Sequence, residues 1–245
     1  MISLSGNAAQ AGYYGAAQNV SFAASVVSIS LSPILLSLMT QQFRARRFED
    51  ARQSARVYLR LVMYLLPIFA MGAATGPELM QLLFGPAYEA AGQAFAWLAL
   101  ASFGSLLVAL QTSILIAAGH VLGSSVLAVG MLLGGIALEA FLIAIYGWAG
   151  AAAGAFVTQW VSVMIAGGMV YRSMGKLGIL ATAAVQISIA VVAAIVVWAI
   201  PSESLATIGK LALALVAYIA VLFMIPVFRS VDWPILRSFY RPDRS

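Results

Sequence analysis

Along this chain apolar residues come in unbroken blocks, and polar residues gather in the short breaks between them. Crossing a bilayer as a helix takes about 20 mostly apolar residues, and seven blocks meet that length, at 14–39, 58–75, 93–117, 121–146, 149–171, 178–200 and 207–228. The breaks carry charge or helix-stopping residues: Gln41 to Arg56, Gly76-Pro77, Gly119-His120, Gly147-Trp148, Arg172 to Lys176 and Pro201 to Ser204. None of the blocks shows the apolar–polar alternation of a membrane barrel strand. The pattern predicts an all-α polytopic membrane protein: one bundle of seven transmembrane helices over 1–245, ending in a basic tail at 229–245.

Charge adds an orientation. If the first helix runs outside to inside, the inner breaks and tail hold Arg44, Arg46, Arg47, Arg52, Arg56, Arg172, Lys176, Arg229, Arg237, Arg241 and Arg244, with Arg60 just inside the second span; the outer breaks hold Lys210 alone. Lys and Arg near span ends are retained on the cytoplasmic side. The expected topology is therefore N-terminus outside and C-terminus cytoplasmic, and the formal net charge of +5 records topology rather than nucleic-acid binding.

Composition removes several kinds of chemistry. With 63% apolar and 9% charged residues, the chain could not cover a water-facing surface with polar side chains. It contains no cysteine and one histidine, His120, at a predicted turn, which excludes disulfides, thiolate nucleophiles and Cys/His zinc sites. No metal or cofactor is expected, and no enzyme: an intramembrane transferase needs a base or a metal site, and no Asp falls inside a span. The N-terminal stretch MISLSGNAAQAGYYGAAQNVSF has no Lys or Arg to act as a signal n-region and reads like the middle of a longer protein.

Four stretches occur in an order that resembles the polysaccharide flippases, relatives of the lipid II flippases and of the multidrug and toxin extrusion transporters. They are AGYYGAAQNVSF opening a helix, SPILLSLMTQQ before a basic inner segment, GPELMQLLFGPAYEAAGQAFAW with its outer LLFGPAY, and IAIYGWAGAAAGAFVTQ joining two helices. The likeness spans roughly 12–175. It implies the eighth to fourteenth helices of a fourteen-helix carrier that moves a lipid-linked oligosaccharide across the bacterial inner membrane for polysaccharide biosynthesis. The implied partners are the lipid bilayer, the lipid-linked sugar, and a missing N-terminal half or a second copy. Two other expectations stand beside it: a non-transporting interaction protein, and half of a multidrug-type exporter.

The candidate site residues are polar groups at membrane depth. Tyr14, Gln18, Ser21, Ser25, Ser28 and Ser32 follow one another at intervals of 4, 3, 4, 3 and 4, which puts them on one helix face. That face could wall a hydrated path or pack closely against another helix. Gln111, Thr112, Thr158, Gln159 and Gln186 could line the path or bond helix to helix. Gly130/Gly134 and Gly150/Gly154 have the small-xxx-small spacing of helix packing. Arg52, Arg56 and Arg60 form a basic edge on a short helix entering the second span, suited to a phosphate or to anionic lipid. Pro33, Pro67 and Pro226 lie inside spans as fixed bends or hinges.

Glu139 stands out as the one acid within a span, seven residues before Tyr146. At about 1.5 Å per residue that is roughly 10 Å below the outer end of its helix. A central carboxylate costs about 2.5–3.5 kcal/mol to insert, so it should be protonated, paired or in contact with water. The surrounding small residues, by spacing, do not mark an inward side.

Overall fold

A computed structural model describes the backbone of residues 8–200 and 204–224, with the side chains inside those ranges except at 8, 23–30, 204 and 205. The expected basic tail at 229–245, Pro226, and the side chains of Ser25 and Ser28 lie outside the described residues. The helices are α1 (Ala8–Arg44), α2 (Phe48–Met63), α3 (Leu66–Ala74), α4 (Gly76–Phe84), α5 (Gly92–Ala117), α6 (Val121–Tyr146), α7 (Trp148–Met174), α8 (Leu180–Ala199) and α9 (Ser204–Met224). A 3-10 turn, Pro86–Ala91, joins α4 to α5.

The chain is an all-α polytopic membrane bundle, with no strand among the described residues. Six helical segments are long and apolar enough to cross a bilayer: Phe48–Ala74, Pro86–Ala117, Val121–Tyr146, Trp148–Met174, Leu180–Ala199 and Ala206–Met224. The first expected span, 14–39, falls within the 37-residue α1, whose middle side chains are outside the described set, so a count of seven rests on the sequence pattern. Most helix ends fall where the breakers stand. Gly147, at φ 61°, holds the left-handed conformation that ends α6 and lets α7 begin one residue later.

The basic segment after the first span contains the expected short helix and is more helical than its charge implied. It is helical almost throughout, since α1 continues to Arg44 and α2 starts at Phe48, with a tight reversal at Ala45 to Arg47 between them. α2 is amphipathic and buries Ala51, Ala55, Leu59 and Val62 on one side. The second span is then broken near Tyr64, where Pro67 in the first turn of α3 has no backbone N–H to continue the ladder.

α5 is the axis of the packing. It touches α1 and α7 most extensively and also meets α2, α3, α4 and α6. Phe103, Leu106, Leu107, Leu110, Ile114 and Leu115 are buried there, against Leu35 and Met39 of α1 and Leu59 and Val62 of α2. α6 lies outside this core and packs chiefly on α7, while α8 packs on α3 and α9 on α4, α8 and α3.

Close approach depends on glycine in two places. A Cβ at Gly150 would strike the Leu142 carbonyl, and one at Gly154 would lie 2.9 Å from Cγ of Glu139, so α7 seats directly on α6 through these two residues. The other pair, Gly130 and Gly134, does not pack in this way: a Cβ at either would meet no atom within 4 Å. Both instead border an apolar groove of about 370 Å³ between α6 and α7. The α6–α7 contact uses Gly135 in their place, buried against Thr158.

The two ends of the bundle are chemically different. Tyr13 of α1 meets Tyr88 and Trp148, with ring centroids 5.4 and 6.1 Å away, so the start of α1, the 3-10 turn and the start of α7 share one end. Lys210, the lone cation expected there, pairs with Glu78 of α4 at 3.4 Å and donates to the Ile200 carbonyl at 3.0 Å. At the opposite end Arg52 and Arg60 of α2 reach the segment after α7, gathering Arg44 to Arg60 with Arg172 and Lys176.

Candidate functional site

Two adjacent helices place Glu139. It projects from α6 over Gly154 of α7, on the same side as Gly135 one turn earlier, and is half-buried. The small residues therefore do mark its inward side, contrary to the expectation from spacing. α7 supplies the glycine that Glu139 covers, and only the folded pair reveals it. Tyr14 of α1 stands within electrostatic reach of the carboxylate. Among the described residues Glu139 makes no ion pair or hydrogen bond.

α1 delivers its polar stripe unevenly. Tyr14 is half-buried against the cluster around Ala17, Phe95 and Ala152, whereas Gln18, one turn further along the same face, is exposed. Ser21 is turned inward and buried, and its carbonyl accepts a hydrogen bond from Ser102 of α5 at 3.2 Å. The stripe thus divides into a packing part at Ser21 and an open part at Gln18, one turn along from Tyr14. Pro33 lies further along, within a helix that runs continuously through it.

Deeper in the bundle, α5 and α7 exchange glutamines across glycines. Gln159 of α7 lies over Gly104, where a Cβ would fall 3.1 Å from its own, and Gln111 of α5 points its amide at Gly167, 3.2 Å from a Cβ there. Among the described residues, buried oxygens of Gln111, Gln159, Thr158 and Ser21 have no hydrogen-bond partner. Helix packing normally matches such groups in pairs, because hydrocarbon offers no substitute.

Gln186 has a different role. It is 1% exposed, and its Oε1 lies 3.1 Å from the Tyr218 hydroxyl, whose one proton is directed to the carbonyl of Tyr64. That carbonyl is exposed by the break before Pro67, where Ile68 bonds to Leu65 instead. Tyr218 of α9 and Gln186 of α8 therefore tie down the break, which opposes free hinging at Pro67. Nothing in the spacing of the chain singled out Tyr218, because its importance depends on a carbonyl 154 residues away.

The arginines expected to meet a phosphate are partly engaged elsewhere. Arg52 donates to the Lys176 carbonyl at 3.0 Å and Arg60 to the Gly178 carbonyl at 3.2 Å. Arg60, expected on the substrate path, belongs with this basic end and not with Glu139. No group of three or more His, Cys, Asp or Glu side chains able to hold a metal occurs among the described residues.

Fold and site together define a class: a polytopic helical membrane protein with unpartnered polar side chains inside its spans. No protein-family model and no curated protein matches the chain.

Proposed function

We propose that this chain is one bundle of a two-bundle carrier that moves a lipid-linked oligosaccharide across a bacterial inner membrane, with its N-terminus outside and its C-terminus in the cytoplasm. The observation that carries this reading is the group Glu139, Tyr14 and Gln18. Among the described residues the half-buried Glu139 carboxylate has no ion-pair partner at membrane depth, Tyr14 of α1 lies within its electrostatic reach, and Gln18, one turn along from Tyr14, exposes its amide where lipid contact would be costly. Such a surface suits a hydrated cavity completed by a second unit, in which the exposed Gln18 exchanges hydrogen bonds with sugar hydroxyls. No covalent step is required of any residue.

Because the chain contains no cysteine, single cysteines can report on hydration directly. In inner-membrane vesicles Gln18→Cys should react with a water-soluble maleimide at least about tenfold faster than Leu132→Cys, which is exposed on the outer face of α6. Equal, slow labelling at both positions would remove the cavity. Function is read by expressing the chain, alone or with an N-terminal bundle, in a flippase-deficient strain. Restored surface polysaccharide that loses its pH dependence in Glu139→Gln gives the carboxylate a titrating role; unchanged translocation and pH dependence in that variant reject the role.

A second reading, a non-transporting interaction protein, draws on Gly130 and Gly134. Their open surface on α6 suits the close approach of another helix, and crosslinking at Gly134→Cys without any gain of polysaccharide export would favour it.

A further inference from the structure

The basic edge of α2 has a geometry that topology alone does not require. Arg52, Arg56 and Arg60 are all half-buried and follow one another at four-residue intervals, so they rise from one side of the helix. The first and third are drawn onto carbonyls only two residues apart, those of Lys176 and Gly178, although their Cα atoms are separated by about 12 Å along the helix. Gly175 and Gly178 have φ of 72° and 66°, a conformation that keeps the segment tight. A Cβ at Gly175 would lie 3.3 Å from Nη2 of Arg52, so the guanidinium rests against bare backbone.

Arg56 stands between the two. It makes no hydrogen bond or ion pair among the described residues, and its Nε is closed off from solvent. Glu49 and Asp50, in the first turn of the same helix, are exposed and pair with neither Arg52 nor Arg56. The exposed Lys176 and Arg172 add further positive charge at this end. Cations crowded together without a carboxylate repel one another, and an oxyanion that accepts from their free N–H groups removes the repulsion. Immediately after the segment, α8 opens with Leu180, which is 83% exposed. An apolar surface thus begins where the positive one ends.

We propose that Arg52 and Arg56, beside the segment that follows α7, form a binding site for the phosphate of a membrane lipid, whose chains lie along the start of α8. The site stands independently of the transport reading. Its chemistry is shared by an anionic phospholipid, a polyprenyl diphosphate and free phosphate. The guanidinium fork meets the phosphate oxygens, and Leu180 favours the two lipid forms over the free ion.

The full chain, released from micelles of equal phosphatidylcholine and phosphatidylglycerol, can be weighed by native mass spectrometry. Wild type should retain phosphatidylglycerol about tenfold over phosphatidylcholine, the scale of one charge-assisted hydrogen bond. R56Q should lose that preference at an unchanged melting temperature, and R44Q, at an exposed arginine outside the site, should keep it. Wild-type retention by R56Q, or an equal loss in R44Q, overturns the site. If R56Q does not fold, R56K serves: it keeps the charge without the fork, a partial loss is expected, and wild-type retention overturns the site. Displacement by equimolar polyprenyl diphosphate assigns the site to a diphosphate lipid, and resistance to it assigns the site to phospholipid. Displacement by millimolar inorganic phosphate overturns the lipid assignment.

Discussion

α5 and α6 are both 26 residues long, both apolar and neighbours in sequence, yet they have opposite surroundings. In the span that contains α5, 67% of the most apolar stretch is buried; in α6 it is 11%, although α6 is the more apolar of the two. In water the order would be reversed. In a bilayer lipid is as apolar as leucine, so apolarity gives a helix no reason to leave the surface. Position is decided instead by what packs: small residues, well-fitted large ones and polar groups. α5 has Gly104 beneath Gln159, Gln111 against Gly167, and Phe103 between Phe69 and Trp160. α6 presents Leu122, Val126, Leu132, Leu133 and Phe141 outward and buries only Ser124, Leu127 and Gly135, with Glu139 half-buried over Gly154.

The contrast is tested most severely by truncating one phenylalanine on each helix. Phe103→Ala should cost about 3–5 kcal/mol of stability through the cavity left in the core, whereas Phe141→Ala on the exposed face of α6 should cost under about 1 kcal/mol. Reversible unfolding in bicelles measures both, and equal losses would mean that α6 is also a core helix. Next in size is the glycine pair. Gly150→Val should cost about 3 kcal/mol by forcing α7 off the Leu142 carbonyl, and Gly134→Val should stay within about 0.5 kcal/mol because its Cβ enters open space.

Smaller effects sharpen the same point through polar groups. Tyr218→Phe should lose about 1–2 kcal/mol by removing the hydrogen bond that the Tyr64 carbonyl accepts from the Tyr218 hydroxyl. Tyr146→Phe, at the exposed end of α6, should change nothing measurable in the same unfolding assay. Gln111→Leu should also leave stability within about 1 kcal/mol of wild type, since the buried amide oxygen has no partner among the described residues to lose. A large loss there would reveal a bond that these helices make to something else in the membrane.

Much of the architecture was legible from residue order. The expected span 121–146 coincides with α6, and 93–117 differs from α5 by one residue, because Gly119 and Gly147 stop helices by local backbone chemistry. The second span was less legible. The short basic helix expected to lead into it is present, but its start at Phe48 was not marked, because an amphipathic helix can carry charge on one side and bury Ala51 and Ala55 on the other. Within the site, spacing found Glu139 and Gln18 as polar groups at depth but did not show that Gly154 receives one of them. Gly130/Gly134 and Gly150/Gly154 have the same spacing and opposite surroundings, since a spacing says which residues share a face and not which face meets a neighbour.

Sequence by itself determined that this is a helical membrane protein, where most of its helices start and stop, and which end carries the basic residues. These follow from hydropathy, from glycine and proline stereochemistry and from the cost of charge in hydrocarbon, all of which act within one segment. Tertiary structure alone decided that α5 is the axis and α6 the rim, that Tyr218 ties the break before Pro67, and that Arg52 and Arg60 converge on the segment after α7. Each of these is a contact between residues far apart in the chain. In a solvent that does not distinguish one apolar face from another, such contacts are set by shape and by hydrogen bonding, which hydropathy does not record.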